Sequence, residues 1–248
     1  MRLLVTHRSS LITHSPMSAQ WLQHARTTFL DLLFPPRCQG CGRAGAWFCT
    51  NCVTALKRIQ PPICARCGQP ISGRSDCGAC RRNPLPTWLN GLRAVADHEG
   101  AMRRAIHALK YERVTAIAEP LGGVLADYLT QHPLPVTLLV PVPLHIERQR
   151  ERGYNQSVLL AQALSRRLGY AVNTTALVRE RHTKPQVGLN EGERRQNLLG
   201  AFRCAQRLDG ARVLLIDDVC TTGSTMVECA AALRDAGAET IWGLTLAR

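Results

Sequence analysis

The sequence predicts an α/β domain, built as a parallel sheet with helices on both faces, preceded by a small zinc-binding module. Four CxxC pairs crowd into residues 38–80, which is typical of metal-binding modules. After residue 86, apolar strands alternate with helical segments, as in parallel α/β sheets. One of these strands ends in Asp217-Asp218 and leads into a turn of threonine, glycine and serine. A chain of 248 residues is long enough for one full core and a small module.

The cysteine pairs indicate two structural zinc sites of four thiolates each, because two CxxC pairs supply one tetrahedral site and leave no position open for water. A disulfide framework is the alternative, but no secretion signal accompanies it, and no βαβ context supports a thioredoxin-like pair. The simplest pairing joins neighbouring pairs, and an interleaved arrangement is the alternative. The eight predicted ligands are Cys38, Cys41, Cys49, Cys52, Cys64, Cys67, Cys77 and Cys80.

The zinc module is too short and too poor in large apolar residues to fold by burial alone, so the metal must supply much of its stability. From the sequence we therefore expect chelation to unfold only the first 86 residues. Glycine follows the second cysteine at Gly42 and Gly68, where it can adopt the positive φ that such turns require.

The chain divides into three predicted regions. Residues 1–30 are a disordered or short helical leader, which contains no acid and resembles a weak transit peptide, with Met17 as an alternative start to Met1. Residues 31–86 are the double zinc-ribbon module. Residues 87–248 are the α/β domain, and the stretch Asn83–Pro86 is the linker.

Positive charge is concentrated at the beginning of the chain. Residues 1–86 hold 11 Lys/Arg and two acids, whereas the rest holds 20 and 16, within a total net charge of +13. This favours an anionic partner, either nucleic acid or an acidic membrane surface, although solvated arginine is a common alternative. No run of 18 apolar residues exists, so we expect no membrane span.

The α/β domain begins with a predicted strand over 91–98. The remaining predicted strands cover 136–142, 171–178, 211–217 and 240–246. The predicted helices cover 101–111, 119–129, 155–168 and 225–236, the last ending before Gly237 as a helix C-terminus commonly does.

The most informative segment is the strand that ends in Asp217-Asp218. Ligands of open α/β sheets bind beyond the carboxyl ends of strands, so the two acids lie at a binding edge, where they suit a ribose diol or a hydrated Mg²⁺. The turn that follows offers hydroxyls and N–H groups at a helix N-terminus, which is an anion site. A Walker B strand is the competing interpretation, but no GxxxxGK[ST] precedes it. Thr225 and Glu228 also fit a capping box, in which Thr225 would only cap the helix.

This segment resembles the phosphoribosyl diphosphate signature of type I phosphoribosyltransferases. The resemblance implies that Asp217 and Asp218 hold the ribose hydroxyls. It also implies a cradle for the 5′-phosphate formed by Thr221, Thr222, Gly223, Ser224 and Thr225.

More of the chain, over residues 30–248, is similar to the ComF/GntX family. The similarity rests on the double zinc ribbon, on Lys110-Tyr111, on Pro141–Leu144 with Arg148 and Arg152–Ser157, and on Arg181–Gln186 through Phe202. It implies a cytoplasmic bacterial protein of natural competence or of external DNA use. It also implies contact with single-stranded DNA and a competence helicase as partner.

The type I resemblance further implies cations around a departing diphosphate that carries Mg²⁺. Arg148 and Arg152 are the candidates for diphosphate binding, and Arg152, Arg181 and Lys184 are the candidates for catalysis, with solvated surface charge as the alternative for each. Three functions fit: a phosphoribosyltransferase with an unknown acceptor, a DNA-handling protein that binds phosphoribosyl diphosphate, and a ligand-sensing regulator.

Overall fold

A computed structural model describes residues 35–72, 77–181 and 198–248. The leader 1–30 and Lys184 therefore lie outside the described residues. The main sheet contains five parallel strands in the order β1-β7-β6-β2-β3. Their bounds are β1 Gly91–Ala96, β2 Leu138–Pro141, β3 Ala171–Val172, β6 Arg212–Val219 and β7 Thr240–Ala247. The predicted parallel α/β sheet is confirmed.

A second, antiparallel sheet consists of β4 (Leu177–Arg179) and β5 (Phe202–Cys204). The sequence predicts one strand over 171–178, which is wrong. The chain turns at Asn173, whose side-chain Oδ1 accepts hydrogen bonds from the backbone N–H and the hydroxyl of Thr175 at 3.2 and 3.3 Å. Asparagine favours such local turns, and here the turn separates β3 from β4.

The described ranges also contain seven α-helices and a short 3-10 helix, Thr115–Ile117. The α-helices are α1 Thr50–Thr54, α2 Gly78–Arg82, α3 Gly100–Tyr111, α4 Ala118–Gln131, α5 Ile146–Arg152, α6 Gln156–Leu168 and α7 Ser224–Asp235. The short α5 is a helix that the sequence analysis did not predict.

Helices cover both faces of the main sheet. On β6, Leu214 and Ile216 belong to an apolar cluster with α3, α4 and α6, whereas Val213 and Leu215 belong to a second cluster with α7. This alternation follows from the two-residue period of a strand. It explains why β6 is apolar throughout until the acids at its end.

The zinc module packs on the β1 edge of the main sheet. The backbone N–H of Ile59 donates to the carbonyl of Val95 at 3.0 Å, and the N–H of Leu92 donates to the carbonyl of Arg66 at 2.8 Å. Phe48 and Leu56 of the module lie in the same apolar cluster as α3. An edge strand that would otherwise expose unpaired backbone groups is thereby covered.

Candidate functional site

The acid pair lies in the last residues of β6, at the carboxyl edge of the sheet. Asp218 is 2% exposed, and its carboxylate pairs with the ammonium of Lys110 at the end of α3. Gln156, the first residue of α6, donates from Nε2 to Asp218 Oδ1 at 3.2 Å. Two helices that approach from separate parts of the chain thus fix one buried carboxylate.

Asp217 is held by neutral donors. Its Oδ1 accepts from the Ser157 hydroxyl at 2.7 Å and from the backbone N–H of Asp218 at 2.9 Å. Burial, with the adjacent Asp218 charge, raises the pKa of Asp217 to about 7. Burial also acts to raise the pKa of Asp218, but the Lys110 charge and hydrogen bond outweigh it, so that this pKa falls below its usual value. The two neighbouring carboxyls therefore differ in proton affinity because Asp218 pairs directly with the Lys110 ammonium, whereas Asp217 accepts hydrogen bonds from neutral donors.

The turn between α5 and α6 delivers Gln156 and Ser157. Gly153 ends α5 with a φ of 86°, a left-handed conformation that favours glycine. Asn155 caps α6, since its Oδ1 accepts from the Ser157 N–H at 2.8 Å, and its Nδ2 donates to the Val142 carbonyl at 2.9 Å. The unusual Arg-Gly-Tyr-Asn-Gln string is therefore the loop that places α6 over the acid pair.

The acid pair opens into a cleft of about 610 Å³ that is rich in cations. Arg148 and Arg152 lie four residues apart on one face of α5. The Arg152 guanidinium donates to Gln156 Oε1 and lies 5.6 Å from the ring centre of Tyr111. The cationic side chains that line the cleft are Lys110, Arg113, Arg148, Arg152 and Arg179. A cleft with two carboxylates at a strand end and five cations around it suits a ligand that carries both hydroxyls and anionic groups.

The turn after β6 is divided between two cavities. Gly223, with a φ of 84°, is the N-cap of α7, so the capping-box alternative for Thr225 is wrong. Thr225 lines the cleft with the acid pair. Thr222 and Ser224, whose hydroxyls lie 2.9 Å apart, line a separate apolar cavity of about 310 Å³. Thr221 is exposed.

The cysteine sulfurs form two groups, in the sequential pairing. Within each group the sulfur atoms lie within 4.8 Å of one another: Cys38, Cys41, Cys49 and Cys52 in the first, Cys64, Cys67, Cys77 and Cys80 in the second. The closest sulfur pairs are 3.4 to 3.7 Å apart. Thiolates on a tetrahedral zinc with bonds of about 2.3 Å lie about 3.8 Å apart, whereas disulfide sulfurs lie about 2.0 Å apart. The donor sets therefore fit zinc and exclude disulfides.

The knuckle geometry agrees with metal binding. Gly42 and Gly68 have φ values of 79° and 69°, as expected from the sequence. Their N–H groups donate to the carbonyls of Cys38 and Cys64 at 2.7 and 2.9 Å. These tight turns bring each CxxC pair together.

Comparison with known proteins agrees with both parts of the molecule. Residues 29–81 match the double zinc ribbon domain family, and residues 155–248 match the phosphoribosyl transferase domain family. The chain is 38% identical over 205 residues to the DNA utilization protein YhgH of Escherichia coli O157:H7, covering 79% of this chain and 88% of that protein. It is 35% identical over 210 residues to Competence protein F of Haemophilus influenzae, covering 80% of this chain and 90% of that protein. It is 30% identical over 211 residues to Competence protein ComFC of Bacillus subtilis, covering 81% of this chain and 83% of that protein.

The chain belongs to the ComF/GntX family. Its two four-cysteine groups are the zinc sites of a double zinc ribbon. Its sheet and helices form a phosphoribosyltransferase-like domain. Within the described residues, no helix combines the length and the apolar character needed to cross a bilayer.

The predicted site residues of this family member are only partly brought together. Asp217, Asp218, Thr225, Arg148 and Arg152 all line the cleft. Arg181 is exposed and is not among the residues that line it, and Lys184 lies outside the described residues. Cys220, in the turn after β6, is buried, and burial raises the pKa of its thiol to about 11.

Four cleft residues were missed or left without a role by sequence reasoning. Gln156 and Lys110 lie within strings that the family resemblance singled out, and that was the available signal. Arg113 has a φ of 57°, uncommon for a residue with a side chain, and donates to the Glu151 carbonyl at 3.1 Å. Arg179 lies on β4, 5.4 Å from the ring centre of Phe202, and nothing in its local sequence marks it.

Proposed function

We propose that the cleft binds phosphoribosyl diphosphate, and that the protein contacts single-stranded DNA in DNA uptake or in the use of external DNA. The observation that carries the proposal is the shared cleft of Asp217, Asp218 and five cationic side chains. Carboxylates accept hydrogen bonds from a sugar diol, whereas cations bind phosphates. The family membership and the phosphoribosyl transferase domain support the same ligand.

The roles divide along the ligand. Asp217 and Asp218 would accept hydrogen bonds from the ribose hydroxyls. The 5′-phosphate would lie against the start of α7, where Thr225 lines the cleft and the N–H groups of the turn 221–225 meet the positive end of the helix dipole. Arg148 and Arg152 would bind the diphosphate, since two guanidiniums four residues apart can contact one extended anion. Mg²⁺ bound to the diphosphate would neutralise part of its charge.

A second candidate, an active phosphoribosyltransferase with a base or amine acceptor, is favoured by the position of Arg152. Negative charge accumulates on a departing diphosphate, and Arg152 is oriented by Gln156, which also contacts Asp218. The predicted catalytic roles of Arg181 and Lys184 belong to this candidate. A regulator that senses phosphoribosyl diphosphate would bind the same ligand without turnover.

The zinc module supports the DNA contact. Residues 35–86 contain eight Lys/Arg and one acid, Asp76. Each zinc with four thiolates carries a formal charge of −2, so the module remains net positive with both metals bound. Trp47 is 38% exposed in this module, which also exposes Arg37 and Arg43. An exposed aromatic ring can stack bases, and exposed guanidiniums of the same module can bind the phosphate backbone.

The names of the relatives support the biological setting. They are a DNA utilization protein and two competence proteins. The proposal also includes a cytoplasmic location, a competence helicase as partner and a domain division near residue 86. The family membership supports these three parts.

Calorimetric titration with phosphoribosyl diphosphate, with and without Mg²⁺, tests the ligand. We expect saturable binding that the double substitution D217N/D218N abolishes while the circular dichroism spectrum is retained. D235N, at an exposed acid on α7, is the matched control and should bind like the wild type. Unchanged affinity of D217N/D218N would refute the proposed ligand site. Released diphosphate in the presence of an acceptor would separate the transferase from the binding protein and the regulator.

A further inference from the structure

Lys110 holds a position that the proposed function leaves unexplained. Its ammonium pairs with the Asp218 carboxylate, and the two side chains are 22% and 3% exposed. Of the ion pairs between described residues, it is the one that reaches the acid pair. The hydrogen bonds that these carboxylates accept come from neutral donors: Gln156, Ser157 and a backbone N–H.

The lysine is delivered by a rigid element. Met102, Ile106 and Leu109 bury one face of α3 in the core. Lys110 lies in the last turn of this helix, where a cation interacts favourably with the helix dipole. The Tyr154 hydroxyl donates to the Leu109 carbonyl and ties this helix end to the α5–α6 turn. The ammonium is therefore part of the scaffold and not a loosely held surface group.

The charges indicate what the lysine does. Two adjacent buried carboxylates repel each other and need a compensating cation or a proton. A Mg²⁺ ion would require near-octahedral oxygen coordination and room for several waters. The Lys110 ammonium already compensates the charge of the Asp218 carboxylate, so that the pair carries a single net negative charge once Asp217 is also ionised.

We propose that Lys110 is a positioning residue that takes the place of a divalent cation at the acid pair, so that the carboxylates bind the ribose diol directly and hold no Mg²⁺ of their own. Mg²⁺ then enters only on the diphosphate of the ligand. This inference rests on the proposed ribose-phosphate site. From the sequence alone, the paired acids suit either a ribose diol or a hydrated Mg²⁺. This inference selects the diol.

The first test uses Mn²⁺ as the probe and needs no sugar. Zinc-loaded wild type, K110M, K110M/D218N and the control K57M, an exposed lysine, are titrated with Mn²⁺ and followed by electron paramagnetic resonance. We expect one Mn²⁺ per chain to bind K110M, and none to bind the acid pair of the wild type, K57M or K110M/D218N. Two results would overturn the proposal. One is Mn²⁺ binding by the wild type that is lost in D217N/D218N, and the other is a folded K110M that binds no Mn²⁺.

The second test needs no Lys110 variant, so it remains decisive if K110M does not fold. Ribose 5-phosphate lacks the diphosphate, and its affinity for the wild type should change by less than about twofold with Mg²⁺. A rise of about tenfold or more would overturn the proposal. In folded K110M we expect Mg²⁺ to strengthen binding by about tenfold or more. If ribose 5-phosphate binds neither protein, the proposed ligand site fails, whereas the Mn²⁺ titration still decides the role of Lys110.

Discussion

The Arg104 guanidinium on α3 donates from Nε and Nη2 to the Gly40 carbonyl in the first zinc knuckle, at 2.8 and 2.5 Å. The same helix carries Lys110 to the acid pair. One helix therefore contacts a zinc knuckle near its middle and the candidate ligand site at its end. Phe48 and Leu56 of the module add apolar contacts with the core that this helix shares.

This contact changes what zinc removal should do. Because the module and the main sheet share a core, we expect zinc removal to destabilise the module and residues 87–248 together. It should not unfold the first 86 residues alone. The substitution C41S, at an exposed ligand, should lower the melting temperature by about 10 °C or more, because a structural zinc site contributes several kcal/mol.

Calorimetric melting together with zinc analysis checks this prediction. C204S is the control, because Cys204 lies outside both cysteine groups, and we expect a shift of less than about 2 °C. Zinc content near zero in the wild type would contradict the metal sites. Two separate melting transitions would contradict the coupling.

Tyr154 should position the α5–α6 turn. Its hydroxyl donates to the Leu109 carbonyl, so Y154F removes one hydrogen bond, which contributes about 1 kcal/mol. We expect a small loss of stability in urea denaturation and weaker binding of phosphoribosyl diphosphate, because Arg152 and Gln156 flank this turn. Y170F, at a half-buried tyrosine near the end of α6, serves as the control for stability and should leave ligand affinity unchanged. Equal ligand affinities of Y154F and the wild type would show that the contact serves stability alone.

Asp217 should make stability depend on pH. Its pKa is raised to about 7 in the folded protein, mainly by burial, from 3.8. Between these values the folded state holds a proton that the unfolded state has released, so stability falls as pH rises from about 4 to 7 and then levels off. D217N removes this dependence.

The measurement is urea denaturation of the wild type and D217N from pH 5 to pH 8. We expect the stability of D217N relative to the wild type to increase from pH 5 to about pH 7, by an amount on the order of a few kcal/mol, and then to level off. A difference that stays constant, or that decreases with pH, would contradict the assignment.

Trp47 and Arg43 should contribute differently to single-stranded DNA binding. W47A should weaken binding by about 1–3 kcal/mol with little change in salt dependence, because stacking is not ionic. R43A should reduce the slope of log affinity against log salt concentration by about the amount that corresponds to one phosphate contact. R207A is the control, since Arg207 is exposed in residues 87–248 and paired with Asp209. Fluorescence anisotropy at several salt concentrations distinguishes these outcomes, and equal effects of R43A and R207A would argue against the module as the DNA surface.

Several features of the site were predictable because they are local. The CxxC spacing predicted both metal sites, since two cysteines of a knuckle are brought together by the intervening turn itself. The apolar run before Asp217 predicted a buried strand, and parallel strands place their carboxyl ends at a binding edge. The split of 171–178 was missed because the Asn173 turn competes with a sequence that otherwise favours a continuous strand.

The sequence by itself determined the two four-thiolate zinc sites, the parallel α/β domain and the acid pair at a strand end, because short-range spacing and hydrophobic period specify each of them. Only the tertiary structure decided that Lys110 neutralises Asp218, that Arg179 enters the cleft, and that the zinc module covers the β1 edge. These contacts join residues far apart in the chain. Their geometry depends on how helices pack against the sheet, which no local pattern encodes.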